Sequence, residues 1–214
     1  MEWVLGRILR VSPRAMEARY RQREAICEPS TPPLVVRLDG VGFGKRLRDF
    51  PTPRSQLVHR ALVETAREAA AVYGAELAYV VSDEINLAFL RNVPYGGRTF
   101  KIVSVLAGYL SAGLTARLAR PLHFDGRVVK LEDPCDVASY VFYRARVGLN
   151  NYLVKKARGL NLVYSQTPHI EELTALVGVE DYELAWGTAM AKAGGYVREV
   201  DLCKALSTLC VEAC

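Results

Sequence analysis

From residue 34 to residue 131 the apolar residues change period in one definite order. Leu34-Val35-Val36-Arg37-Leu38 is a short buried run, as expected of a strand. From Ser55 to Tyr73, Leu57, Ala61, Leu62, Ala66, Ala69 and Tyr73 recur at helical spacing, and Gly74 stands where a glycine would stop the helix. Leu77, Tyr79 and Val81 alternate, as do Ile85, Leu87 and Phe89, so residues 75–90 predict two antiparallel strands joined at Ser82-Asp83-Glu84. After the loop Pro94-Tyr95-Gly96-Gly97, the stripe Ile102, Val103, Leu106, Leu110, Leu114 and Leu118 predicts a second helix. Phe124-Asp125-Gly126-Arg127 then leads into a last strand at Val128 to Leu131. Strand, helix, two strands, helix, strand is an α+β order, that of a ferredoxin-like βαββαβ unit. In that topology the end of the first strand and the turn between the second and third emerge at the same edge of the sheet.

The consequence concerns charge. Asp39-Gly40 closes the first strand, and Asp83-Glu84 lies in the turn forty-four positions later, so three carboxylates converge. Two of them about 4 Å apart repel by roughly 4 kcal/mol at an effective dielectric near 20, and a shared proton or bound cations must relieve this. Hard divalent ions take carboxylate and carbonyl oxygens, which Asp39, Asp83 and the carbonyl of Gly40 offer. A pair of Mg²⁺ ions roughly 3.5–4 Å apart lowers the pKa of an attacking hydroxyl and neutralises a leaving pyrophosphate. An acidic turn beside an Asp-ended strand is the layout of a polymerase or nucleotide-cyclase palm. The turn lacks the Asn-Gly or Asp-Gly pair of a tight hairpin, as a turn kept for its carboxylates would. Asp39-Gly40 taken alone is an ordinary turn after a strand; its partners give it meaning. Gly40, Gly42 and Gly44 leave the next loop open to close approach of a ligand. Arg98 and Lys101 stand near a helix start, where cations oppose the dipole unless an anion sits among them.

The chain has 214 residues, half of them apolar, enough for one large domain or one domain with an appended helical region. We expect a palm-like core with an N-terminal helix over residues 1–133 and a helical region packed on it over 134–214. Ser12-Pro13 opens a basic helix with Arg14, Arg19, Arg21 and Arg23, and Glu28 to Pro33 ends it. Beyond Pro134 a helix is expected from Asp136 to Arg158. Thr167-Pro168 opens another, Gly194-Gly195 closes a later one, and the tail after Asp201 is helical. A net charge of +5 and a pI near 9.0 suit a polyanionic partner without demanding one. Arg144, Arg146, Asn150, Asn151, Lys155 and Lys156 form either a solvated face or an RNA groove. Tyr140, Phe142, Tyr143 and Tyr152 read as core rather than as a base-stacking platform. The five cysteines, Cys27, Cys135, Cys203, Cys210 and Cys214, form no CxxC pair, and His59, His123 and His169 have no metal-ligand spacing. Neither a zinc site nor a disulfide framework is implied, and a reduced, cytoplasmic protein is expected. No stretch reaches about 18 continuous apolar residues and no signal pattern opens the chain, so no membrane partner is expected.

Four segments together carry a family resemblance: Arg37-Leu38-Asp39-Gly40-Val41-Gly42-Phe43, Val81-Ser82-Asp83-Glu84, Arg98-x-x-Lys101-x-x-Ser104 and Phe124-Asp125-Gly126-Arg127-Val128-Val129. In this order they resemble successive motifs of the tRNA-His guanylyltransferase family and its archaeal and bacterial like-proteins, over residues 34 to 131. The resemblance implies a nucleotidyltransferase that adds nucleotides to the 5′ end of tRNA, extending in the 3′ to 5′ direction. ATP or GTP would activate the 5′ phosphate, and the 3′ hydroxyl of an incoming nucleotide would then attack it. It further implies two Mg²⁺ ions on Asp39, Gly40 and Asp83, with Glu84 supporting the site. By the same resemblance a triphosphate would be held by Arg98, Lys101 and Ser104 and lined by Ser82 and by the amides of Val41, Gly42, Phe43 and Gly44. RNA would follow Arg144, Arg146, Asn150, Asn151 and Lys155. Relatives assemble as dimers or tetramers, which implies a homo-oligomer.

One departure bears on the reaction. Guanylyltransferases proper carry a His-Ile-Asn-Asn-type motif in the next helix, where this chain has Gly148-Leu149-Asn150-Asn151, with Phe142-Tyr143-Arg144 in place of Trp-Arg-Gln. The change favours the like-protein branch, which resembles a template-dependent repairer of truncated tRNA 5′ ends. Three rival readings stand beside it: a tRNA-His guanylyltransferase proper, a palm nucleotide cyclase, and a catalytically silent RNA-binding module. Asp125 and Arg127 are read as shaping the entry to the last strand.

Overall fold

The computed structural model describes residues 2–25, 29–162 and 168–210. Two helices, α1 (Glu2–Arg10) and α2 (Pro13–Arg21), precede a short strand β1 (Glu24–Ala25). The core follows as β2 (Leu34–Gly40), the single-turn α3 (Phe43–Arg46), α4 (Gln56–Tyr73), β3 (Leu77–Val81), β4 (Glu84–Phe89), α5 (Thr99–Leu118) and β5 (Phe124–Lys130). After it come α6 (Pro134–Gly159), α7 (Ile170–Val177), α8 (Tyr182–Trp186), β6 (Thr188–Ala193), β7 (Tyr196–Val200) and α9 (Leu202–Ser207). Helix starts follow local chemistry. Ser12, Ser55 and Asp133 each accept a backbone N–H with the side chain at the N-cap of α2, α4 and α6. Gly74 stops α4 at a φ of 79°.

The seven strands form one sheet in the order β1-β5-β2-β4-β3-β6-β7, and every neighbouring pair is antiparallel. Its central four strands, β5-β2-β4-β3, are the ferredoxin-like unit. Helices α4 and α5 cover one face, where Leu62, Val63, Leu106 and Leu110 join a core with Val36, Leu38 and Leu87. Helix α6 covers the other, with Tyr140, Val141, Leu149 and Leu153 clustered with Val35, Tyr79 and Val81. Side chains alternate along a strand, so Asp39 shares the face of Val35 and points to the α6 side.

Several expectations are corrected. The region beyond residue 134 is not wholly helical, because β6 and β7 extend the palm's own sheet at the edge of β3. Gly194 and Gly195 close no helix; they turn this β6–β7 hairpin at φ values of 58° and 86°, which only glycine adopts freely. Thr167 lies outside the described residues, and α7 starts after His169. Helix α5 does reach the length and apolarity of a membrane span, with a mean hydropathy of 1.3. Its stripe Ile102, Leu106, Leu110, Leu114 and Leu118 is buried against the sheet, which accounts for that composition. The aromatic group Tyr140, Phe142, Tyr143 and Tyr152 is buried, as read.

The cysteines depart most from expectation. Cys135, in the first turn of α6, is disulfide-bonded to Cys210, beyond α9, across a sequence separation of 75. Pairing at such a distance in the chain has no spacing signature. Cys27 and Cys214 lie outside the described residues. Closing so long a loop limits the unfolded chain, and reduction is expected to lower unfolding stability by about 2–4 kcal/mol. Urea unfolding with and without dithiothreitol, repeated on Cys135→Ser, measures the difference.

Candidate active site

Strand register brings the acids together. Asp39 on β2 is the direct partner of Glu84 on β4 and of Asp125 on β5. The N–H of Gly40 donates to the carbonyl of Asp83 at 3.0 Å, which pins the end of β2 to the β3–β4 turn. That turn is only two residues long, Val81 pairing with Glu84, and Ser82 takes a left-handed φ of 58°. Burial, and then the Glu84 and Asp83 carboxylates, push the Asp39 carboxyl up to about 6. Arg37, 3.6 Å away, opposes this only in part.

Glu84 has a different situation from the two aspartates. Arg144 of α6 grips it through two hydrogen bonds, Nε to Oε2 at 2.9 Å and Nη2 to Oε1, and both side chains are buried. This corrects one expectation, since Arg144 is buried and presents no face to RNA, and it holds Glu84, expected to support the site, in an ion pair. Burial works against the charge on Arg144, and Glu84 more than offsets it, raising its pKa. The arrangement leaves Asp39, Asp83 and the Gly40 carbonyl as oxygen donors. Among the described residues no three acidic, His or Cys side chains stand in a metal-binding cluster. The donor set nevertheless suits a hard divalent ion, because the excess negative charge that raises Asp39 is what such an ion relieves.

A cavity of about 460 Å³ opens beside the turn, within the usual range for a small-molecule site. Ser82 and Asp83 stand at one part of its wall, with Phe43, Leu47, Val58 and Leu62 supplying apolar surface. Arg48, Lys155 and Arg158 add positive charge. The fold thus gathers Phe43, Gly44, Ser82, Asp83 and Lys155, all singled out in the sequence, at one opening. Phe43 is there as a buried ring, edge-to-face with Phe124 at 5.3 Å. A Cβ on Gly40 would lie 2.6 Å from the Phe43 ring, so this packing requires glycine at 40. Gly42, at a φ of 67°, turns the chain into α3 and accepts the amides of Lys45 and Arg46. The amide of Val41 is spent on the carbonyl of His123 at 2.8 Å and is not free to line a phosphate.

Other predicted residues lie elsewhere. Arg98, Lys101 and Ser104 open α5, which follows the far end of β4, where Phe89 pairs with Leu34. Ser30, just before β2, bonds to Gly97 and Thr99 there. Arg98 stands at this end, five β2 residues from Asp39, whereas Val103, next to Ser104, packs towards Gly126, the register partner of Leu38. Arg98 Nε donates to the Tyr95 carbonyl, Lys101 sits over the Tyr95 ring at 5.0 Å, and the Ser104 hydroxyl donates to the Lys101 carbonyl. Of the remaining α6 residues, Arg146 and Asn150 are half-buried, while Asn151 and Lys155 are exposed. Sequence reading missed Arg37, which sits between Asp39 and Glu84, and Arg54 on the cavity wall. Nothing in an isolated arginine between prolines and a serine signals that the fold will bury it.

The family described as Thg1, tRNAHis guanylyltransferase, matches residues 16–132, more than half of the chain. This chain belongs to the tRNA-His guanylyltransferase family. Solved structures agree with the fold. A bacterial tRNA-His guanylyltransferase-like protein in complex with GTP superposes with a TM-score of 0.70 at 21% identity, over 93% of this chain and 97% of that one. The corresponding complex with ATP gives 0.68 at 23% identity, over 89% and 92%. The Saccharomyces cerevisiae tRNA-His guanylyltransferase gives 0.63 at 16% identity, over 86% and 93%. Uncharacterized protein R259 of Acanthamoeba polyphaga mimivirus is 31% identical over 88 residues, 36% of this chain and 30% of that protein. The chain therefore matches under a third of that curated relative's length.

Family membership makes the charge balance open to test. Glu84→Gln leaves Arg144 buried without its counter-charge, and a loss of about 3–5 kcal/mol in unfolding stability is expected by chemical denaturation. Asp39 acts in the opposite sense. Its folded pKa, about 6, lies above the unfolded carboxyl value, so the folded state binds the extra proton and stability falls as pH rises from about 4 through 6. Asn at 39 removes this penalty. The melting temperature of Asp39→Asn is expected to exceed that of the wild type at pH 7.5, with the gap closing towards pH 4 in a calorimetric series.

Proposed function

We propose that this chain is a Mg²⁺-dependent nucleotidyltransferase that extends the 5′ end of tRNA in the 3′ to 5′ direction, by template-directed repair of truncated ends. The observation that carries the reading is the hydrogen bond from Gly40 to Asp83, which ties the Asp39 end of β2 to the turn whose Asp83 lines a nucleotide-sized cavity. Asp39, Asp83 and the Gly40 carbonyl would hold the metal ions. When bound, such ions activate a hydroxyl nucleophile and neutralise charge on the departing phosphate. The protein's own part is to keep the donors in register through three paired strands and to hold Glu84 out of the donor set by means of Arg144. Leu47, Phe50 and Pro51 offer apolar surface to a base, and Arg48, Lys155 and Arg158 would draw in the phosphates of a nucleoside triphosphate and of RNA.

The change at residue 148 supports the repair branch. A Cβ on Gly148 would stand 2.1 Å from Val81 Cγ2, directly before the acidic turn. A histidine there is incompatible with this packing of α6 against β3. The chain is accordingly assigned a reaction that does not use the His-Ile-Asn-Asn-type motif of the untemplated enzymes.

The test is to incubate purified protein with Mg²⁺, all four nucleoside triphosphates and a 5′-triphosphorylated tRNA transcript lacking its first nucleotide. Growth by one nucleotide at the 5′ end is expected, its identity following the opposing base in the acceptor stem. Asp83→Ala should slow it by about 100-fold or more. A cyclic nucleotide formed without RNA, or addition indifferent to the opposing base, would overturn the assignment.

A further inference from the structure

Arginines next to the acidic cluster divide into two kinds. Arg37 and Arg144 have carboxylates, at 3.6 Å from Asp39 and bidentate on Glu84. Arg54 has none: its guanidinium donates to the backbone carbonyls of Gly148 at 2.9 Å, Ala185 at 3.2 Å and Leu184. Its Nε is buried and has no hydrogen-bond partner. Tyr152 lies beneath at 5.9 Å from the guanidinium carbon. Burial lowers its pKa to about 10, with Asp83 the largest influence favouring its charge. Dipoles of carbonyls and a ring hold this cation in place without neutralising it, and a buried charge left so is costly unless an anion completes it. The side chain also lines the 460 Å³ cavity that contains Asp83.

We propose that Arg54 is the anion-recognition residue of this cavity, a fixed charge in its wall that draws and orients the phosphate chain of a nucleoside triphosphate, leaving the base to the apolar surface of Leu47, Phe50 and Pro51. The inference rests on the nucleotide reading above and deepens it by assigning the end of the ligand that faces the wall. Because three carbonyls hold the guanidinium before any ligand arrives, ordering it costs little on binding. Low-dielectric walls make its charge felt several ångströms away even without direct contact. Exposed Arg48 is screened by salt more than half-buried Arg54 is.

The experiment compares the affinities of adenosine, AMP and a non-hydrolysable ATP analogue, with Mg²⁺, for the wild type, Arg54→Met and Arg54→Lys by calorimetry. The wild type should bind more tightly with each added phosphate. Arg54→Met should lose about tenfold or more for the triphosphate while its adenosine affinity stays within about twofold, with Arg54→Lys between the two. The loss should persist at about 0.5 M salt. Equal triphosphate binding by wild type and Arg54→Met, or an equal loss for adenosine, overturns the role given to Arg54 and leaves the nucleotide reading standing. A wild type that binds no nucleotide overturns both. If circular dichroism shows that neither variant folds, a crystal structure of the wild type with the analogue decides. Phosphate within about 6 Å of the Arg54 guanidinium supports the proposal, and a base at that wall with phosphates turned away overturns it.

Discussion

Four acidic side chains held at one end of a sheet are the constraint around which the rest of the molecule is arranged. Antiparallel register places Asp39 opposite both Glu84 and Asp125, and the Gly40–Asp83 hydrogen bond adds a further acid to the group. Left alone, such a cluster would drive the strand ends apart or take up protons, and burial, then Glu84 and Asp83, hold the Asp39 carboxyl raised. Arginines from three separate elements restrain it: Arg37 from β2 itself, Arg144 from α6, and Arg54 from the loop before α4. Each acts differently, one as a partly buried neighbour, one as a bidentate partner, one as an unpaired charge clamped by carbonyls.

Helix α6 transmits most of this restraint, and its placement is secured along its length. At its N-terminal end Asp136 accepts the Tyr20 hydroxyl at 2.9 Å and pairs with Arg19 and Arg23, tying α2 to the sheet edge. At its middle Arg144 meets Glu84. One turn further on, Gly148 lets the helix approach Val81 so closely that no side chain fits between them, and its carbonyl receives Arg54. A helix fixed at one end to α2 and at two further levels to the β3–β4 pair positions the acidic turn with little freedom, which suits a site that must hold its oxygens at a set spacing.

The central βαββαβ order was legible because each element advertises its period locally: Leu62 and Ala66 on one helix face, Leu77, Tyr79 and Val81 on one strand. Asp39 and Asp83 were legible for the same reason, since topology alone sends both to one edge. The β6–β7 hairpin was not. Thr188 to Val200 mixes apolar and charged residues without clean alternation, and it becomes strand because β3 offers an open edge. Glu84 and Arg144 were each noticed, as a site acid and as an RNA contact, but their pairing spans sixty residues and cannot be seen from either side. The Cys135–Cys210 bond escaped in the same way.

By itself the sequence determined which elements form, in what order, and that two aspartates end at a common edge, because hydrophobic period and strand alternation are properties of neighbouring residues. Only the tertiary structure decided which charges remain available. Whether an acid or an arginine is spent on a partner or left facing a cavity depends on groups brought near by packing. That contact sets Glu84 and Arg144 against each other and leaves Asp83 and Arg54 on the wall of the cavity.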